Sequence, residues 1–349
     1  MCFLPEMSRV ISSELSRQNS LLDDENTCVR TTKRFKLNEA ATEDSQANKS
    51  THAPDSQREV FAEVGNRCNR VQLSERQALS RVTSKVPSQV VQDEYYSTSE
   101  YAHLIFANYW RFYQTITHDN VGDYLAFQLH LTALHRTAII EWLLHVHTSW
   151  KLVPESFFGS VNLFDRFMAR FPHVKVKKLQ LVGICCLLIA AKYEEADLDQ
   201  SPGSMMYICD YSYTIDEILQ TEVLILNTVN FDLFRPSALT FRLYMASVAN
   251  STQKQVFFAH YLLELSLVDY YASTRHKPAE LAAGALLVSY RVITKGSWPA
   301  ELSALTGFTE LRLAVVSRYL SQLASEQSLT GVRRKFESAR FMSVSLLRL

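Results

Sequence analysis

Glycine and proline are scarce in this chain: its 349 residues hold nine of each. Together they are about 5% of the sequence, against roughly 12% in average soluble proteins. So few chain breakers exclude a collagenous or low-complexity chain, argue against an all-β sandwich and favour helices. Net charge is lacking too, with 36 basic and 36 acidic residues. No basic field draws the chain to nucleic acid or to an acidic membrane. None of the six cysteines forms a CxxC pair, and Cys185 and Cys186 adjoin inside an apolar run. That excludes a zinc-ribbon spacing and suits buried, inert thiols in a reducing compartment. The longest apolar run, Leu181–Ala191, falls short of the roughly 20 residues of a membrane span. The N-terminus has no continuous apolar signal-peptide core. A soluble intracellular protein is expected, with no direct nucleic-acid or membrane partner.

Aromatic residues are also missing from one region. Of 4 Trp, 16 Tyr and 19 Phe, only Phe3, Phe35 and Phe61 precede residue 93. Residues 1–92, poor in large apolar groups, cannot offset their ordering entropy and read as a disordered tail. The rest is long enough for one large or two ordinary domains.

What is present is helical periodicity. A first helix is predicted from Ser99 to about Ile116, with Tyr101, Ile105, Tyr109 and Phe112 on one face. A second is predicted over 127–149, where Leu129, Arg136, Ile140 and Leu143 share a face. Pro154 suits the first position of the next helix, whose Phe157, Val161, Phe164 and Met168 repeat at helical spacing. Residues 175–195 read as a central, nearly encircled helix. Thr214-Ile215-Asp216-Glu217 is a capping box opening another helix. After Arg235-Pro236 the rhythm resumes, with helices predicted over 237–249, 253–271, 278–294, 298–306 and 309–325. The fold class is therefore all-α, with two successive five-helix units behind an N-terminal helix. The boundaries fall at 1–92 (tail), 93–126 (helix and linker), 127–233 (first unit) and 234–349 (second unit and C-terminal extension).

Several charges stand on apolar stripes. Glu222 falls in line with Ile215, Ile218, Leu226 and Val229, and Lys192 closes the stripe Leu181, Cys185, Leu188. Arg136 interrupts an apolar face, and Asp165 lies between two phenylalanines. Buried charges are costly unless paired, so the expected arrangements are Arg136 with Asp165 and Lys192 near Glu222. Periodicity alone leaves open whether such a pair is structural, partner-binding or a snorkelling rim. Phosphate-loop, nucleotide-fingerprint, nucleophile-elbow and HExxH motifs are all missing. His145 and His147 diverge on their helix, and Glu194-Glu195 reads as a solvated helix end. No catalytic constellation, metal site or cofactor is expected.

His135-Arg-Thr-Ala-Ile-Ile-Glu-Trp-Leu143 resembles the MRAILVDWL segment of the cyclin box. Val161-Asn-Leu-Phe-Asp-Arg-Phe167 resembles VNxxDRFL, and Lys178-Leu-Gln-Leu-Val-Gly183 with Leu188-Ile-Ala-Ala-Lys-Tyr-Glu-Glu195 resembles KLQLVG…LIASKYEE. Ile218–Phe231 followed by Asp232-Leu-Phe-Arg-Pro236 resembles the ExxIL…LxFDLxxPT passage. Tyr261–Asp269, Lys277–Ala283 and the ending Lys335-Phe…Arg340-Phe-Met342 are similar to the mitotic B-type form of this family. The resemblance covers about 99–343. It implies two cyclin boxes and a non-enzymatic regulatory subunit that activates a cyclin-dependent protein kinase, at the G2-to-mitosis transition. It assigns kinase binding to Lys192, Tyr193, Glu222, Leu226 and Phe231, and an internal salt bridge to Arg136 and Asp165. It places a substrate- or inhibitor-docking patch at Ile139, Trp142, His145 and Gln180. There His145 replaces an acidic residue, so Arg-x-Leu docking is expected to weaken. The turn over 196–203 departs from the family's YPP pattern.

In the tail, Arg58-Glu-Val-Phe-Ala-Glu-Val-Gly-Asn66 resembles a destruction box, with Phe61 for the usual leucine and Asn66 retained. It implies a ubiquitin ligase as partner and removal by proteolysis. Lys33, Arg34 and Lys36 form a basic cluster fit for a nuclear signal or a solvated charge run, which suits residence in nucleus and cytoplasm. The alternatives are an S-phase, A-type role and, from another class, a promoter-binding transcription factor of the same two-box fold.

Overall fold

Capping side chains decide where most of the helices begin. Thr132, Ser201, Thr214, Ser237, Thr252, Asp269 and Thr309 each accept the backbone N–H three residues on, satisfying an otherwise orphaned donor. Pro154, Pro202 and Pro278 occupy first helical positions, where a missing N–H costs nothing. The computed structural model describes residues 101–115, 121–196, 201–326 and 329–348. The destruction-box-like segment and the basic cluster of the tail lie outside the described residues.

The order is α1 (Ala102–Thr115), a 3₁₀ turn (Tyr124–Phe127), α2 (Ala133–Trp150), α3 (Pro154–Arg170), α4 (Leu179–Glu194), α5 (Pro202–Ile208) and α6 (Ile215–Thr228). After the linker come α7 (Ala238–Val248), α8 (Gln253–Val268), α9 (Tyr270–Arg275), α10 (Pro278–Ile293), α11 (Ala300–Thr306), α12 (Glu310–Ser325) and α13 (Thr330–Glu337), then two 3₁₀ turns. Every described element is helical.

In the first unit α4 packs against α2, α3 and α6, and Leu179 through Ala191 are all buried. In the second, α10 packs against α7, α8 and α12, with Leu281 through Tyr290 buried. One encircled apolar helix per unit is the repeat that the periodicity pointed to.

Three expectations need correction. First, α2 begins at Ala133, not near 127. Gln128 is buried, its amide donates to the carbonyls of Met168 and Phe171 (both 2.8 Å) and its carbonyl accepts Val174 N–H (3.0 Å). That use of Gln128 holds the preceding segment out of the helix and leaves Leu129 exposed. Second, the helix predicted over 253–271 breaks at Asp269, whose backbone turns extended while its carboxylate caps Ala272 N–H at 2.6 Å. Among the described residues the second unit thus has six helices, α7–α12, rather than five, ahead of α13 in the C-terminal extension. Third, α1 turns inward on Phe106, flanked by half-buried Tyr109, Trp110 and Tyr113, and Tyr101 is exposed. In a helix aromatic nearly all round, sequence does not fix which ring faces in.

Candidate partner-binding site

Arg136 and Asp165 meet as expected. Nε and Nη2 donate to the two carboxylate oxygens at 2.8 Å each, with side chains 2% and 4% exposed. This two-pronged match is the strong form of the pair. Burial disfavours the charge on Arg136, yet Asp165 more than offsets it and holds the guanidinium above the ordinary arginine range. Tyr124 donates to Asp165 at 2.9 Å, and burial first, then Asp165, pushes its hydroxyl well up. The pair also reaches further than a tie within one unit. Arg136 Nη1 donates to the carbonyls of Leu267 and Val268 at 2.9 and 3.0 Å, at the end of α8 where no helical N–H is left for them. Its Nη2 donates to Ser273 Oγ (3.0 Å), which donates to Asp165 (2.9 Å). The break at Asp269 leaves those carbonyls open, so the pair joins the two units.

Lys192, in the last turn of α4, meets Glu222 of α6 at 2.5 Å. This pair sits at a surface: the side chains are 44% and 12% exposed. Around it the apolar residues face solvent. Tyr193 is 52% exposed and Phe231 64%, and Leu226 is half-buried. Ile215, Leu219 and Val223, spaced i, i+4, i+8 on α6, are exposed as well, so they share one face. Sequence reasoning missed this second stripe and set Ile215 on the inward one. The missed signal was that α6 is apolar at 215/219/223 as well as at the buried 218/225, more than one core-facing side needs. Asn230 and Phe231 both take left-handed backbone, φ 56°, costly for a bulky side chain. The Phe231 N–H closes the end of α6 on Leu226 O at 2.8 Å, which holds the ring outward.

Asp232 next to it pairs with Arg235 and accepts from Arg166 at 3.4 Å. Behind the pair, burial raises the Cys185 and Cys186 thiols far above their ordinary value, and that of Cys209 to about 12. Buried and held protonated, they are free thiols of the kind that make poor nucleophiles.

Ile139, Trp142 and Gln180 are buried and His145 half-buried. The expected docking patch is therefore interior at three of its four positions. The C-terminal helix α13 packs against α2, and a Cβ at Gly331 would lie 3.3 Å from His145 Nε2. Burial, then Arg334, lowers the His145 pKa. His147 turns away, its Nε2 2.9 Å from Val153 O. Glu195 is not merely solvated: its carboxylate accepts Val153 N–H (2.7 Å) and Ser156 Oγ–H (2.9 Å) at the start of α3. Among the described residues no group of three or more His, Cys, Asp or Glu could hold a metal ion.

Sequence comparison identifies this all-helical double repeat as a pair of cyclin domains. The cyclin N-terminal domain matches residues 106–234 and the cyclin C-terminal domain 236–348. The chain belongs to the cyclin family. It is similar to the G2/mitotic-specific cyclin-B2 of Gallus gallus, 34% identical over 219 residues, covering 61% of this chain and 54% of that protein. The cyclin-B2 of Homo sapiens is 33% identical over 217 residues, with the same coverage. Cyclin-B2-2 of Oryza sativa subsp. indica is 34% identical over 223 residues, 63% of this chain and 52% of that one. The chain spans about half the length of these relatives. The X-ray structure of a viral cyclin from herpesvirus saimiri shares the fold, with a TM-score of 0.56 at 18% identity over 64% of this chain and 98% of that one.

Proposed function

We propose that this chain is the regulatory subunit of a cyclin-dependent protein kinase, which it binds and activates at the entry to mitosis. The observation that carries this is the Lys192–Glu222 pair, set at the surface among exposed Tyr193, Ile215, Leu219, Val223 and Phe231. A contiguous exposed apolar patch marks an interaction surface, and a half-desolvated ion pair inside it gains its remaining hydrogen bonds from a partner's backbone. The family membership and the names of its mitotic relatives support the choice of kinase. The chain performs no chemistry. It positions the kinase C-helix so that its glutamate reaches the ATP-binding lysine. Lys192→Ala with Glu222→Ala should abolish co-purification of the kinase while the circular dichroism spectrum stays helical. Undiminished kinase capture by the folded double variant refutes the assignment.

The finer readings belong to the same proposal. Substrate docking at Ile139, Trp142, His145 and Gln180 is weak, since His145 cannot pair with an arginine and the other three are interior. The tail segment Arg58–Asn66 recruits a ubiquitin ligase, and Lys33, Arg34 and Lys36 address the protein to the nucleus. Arg58→Ala with Phe61→Ala should prolong its lifetime after metaphase; an unchanged half-life removes that reading.

A further inference from the structure

Gln128 ties two stretches of the first unit together from inside. Its amide donates to the carbonyls of Met168 and Phe171, and its carbonyl accepts Val174 N–H. The backbone at Gln128 is extended, so its neighbours Phe127 and Leu129 point the opposite way, outward. They are 71% and 75% exposed, beside the 171–174 turn that Gln128 holds. Phe171 of that turn is exposed as well, its ring stacked on Phe167 at 5.1 Å. Three large apolar side chains thus stand in water on backbone pinned by one buried amide, and such a patch marks a contact surface.

Charge says what this surface accepts. In a chain of 36 basic and 36 acidic residues, no Asp or Glu occurs over 124–140 or over 166–193. Arg170 and Lys175 flank the turn and are exposed. Among the described residues neither pairs with a carboxylate. The acids that bound these stretches on the N-terminal side are engaged elsewhere: Asp165 holds Arg136, and Asp123 accepts the Tyr270 hydroxyl at 2.7 Å.

We propose that this surface docks an acidic, extended segment of a partner protein. The segment's apolar side chains lie among Phe127, Leu129 and Phe171, and its carboxylates face Arg170 and Lys175. An apolar centre with a charged rim is the common anatomy of a protein contact, and basic side chains recognise acidic motifs. A membrane surface fits less well. Over a Debye length it senses the whole molecule, which is neutral, whereas a peptide meets only the charges it touches. The preference is opposite in sign to Arg-x-Leu docking, and the interior Ile139, Trp142 and Gln180 take no part. Nor does the proposal rest on the kinase reading, since it uses no residue of the Lys192–Glu222 face.

The probe is a fluorescein-labelled peptide with phenylalanine and leucine two apart in a run of aspartate and glutamate. It is titrated by anisotropy into the full chain without kinase, beside a counterpart with asparagine and glutamine for the acids. Saturable binding of the acidic peptide is expected, weakening as salt is added, with the amide counterpart weaker by about ten-fold or more. Arg170→Glu with Lys175→Glu should weaken the acidic peptide about ten-fold or more. Phe127→Ser with Leu129→Ser should also weaken it, and gives an independent test should the charge variant fail to fold. Leu311→Ser, at an exposed position of α12, should leave affinity unchanged. Lack of saturable binding, equal affinity for the amide counterpart, or full affinity in either folded double variant overturns the proposal. Co-sedimentation with phosphatidylserine vesicles that both double variants abolish, without peptide binding, overturns it in favour of a membrane.

Discussion

Two ion pairs of the same chemistry have opposite roles because their burial differs. Arg136 and Asp165 are both enclosed, and removing one partner strands a charge out of water. Asp165→Asn should therefore cost about 3–5 kcal/mol of stability. Lys192 is nearly half exposed, so Lys192→Ala should change stability by no more than about 1 kcal/mol. Urea unfolding of the two variants distinguishes the roles; similar losses would mean that the Lys192 pair is structural too. Both pairings were legible in the sequence, since a charge on an apolar stripe needs a partner. Which pair faces outward came from the family resemblance and not from periodicity, because helical spacing places a residue on a face without saying what covers that face.

At the scale of elements, caps and packing distances set the details. The start of α6 could be read directly: Thr214 and Glu217 cap each other's backbone N–H groups as their spacing requires. The break between α8 and α9 could not, because Asp269 sits within an apolar run that continues helical periodicity on both sides. Close helix contact likewise escapes the sequence, and two glycines show it. A Cβ at Gly284 of α10 would lie 2.7 Å from Val316 Cγ1 of α12, whereas one at Gly159 of α3 would meet only Ala190 Cβ at 3.6 Å. Gly284→Ala should thus destabilise by about 1–3 kcal/mol through overpacking. Gly159→Ala should stabilise by up to about 1 kcal/mol through helix propensity. Thermal or urea melts check both, and a stabilised Gly284→Ala would show that α10 and α12 can move apart at little cost.

Across the whole molecule, buried titratable groups join the first unit, the second and the C-terminal helix. Glu264 of α8 meets Lys335 of α13 at 2.5 Å. Burial alone would raise its carboxyl, but Lys335 and His260 together hold it at about 2. Its contribution is complete above the unfolded value near 4.3 and is lost as pH falls toward 2. His147 acts in a higher window. Burial, aided by Lys335, lowers its ring to about 4, so between roughly pH 6.5 and 4 the unfolded chain takes up a proton that the folded one refuses. His135, His145, His260 and His276 are lowered in the same direction, each mainly by burial. Stability should thus fall from pH 6.5 to 4 and again below about 4.3. His147→Asn should flatten the first window and Glu264→Gln the second, as read from urea midpoints across pH. A stability profile level from pH 7 to 4 would contradict this placement of the histidines.

The sequence by itself determined the all-helical class, the double repeat and the two charge pairs. Each follows from composition or from spacing along one helix, which are local properties. The tertiary structure alone decided that Arg136 holds the two units together and that the outer stripe of α6 surrounds Lys192 and Glu222. It also decided that Trp142 is enclosed beneath the surface and that Gln128 sets Phe127 and Leu129 beside the 171–174 turn. Those depend on which faces meet, and that is settled only when both units and the C-terminal helix compete for the same apolar surface.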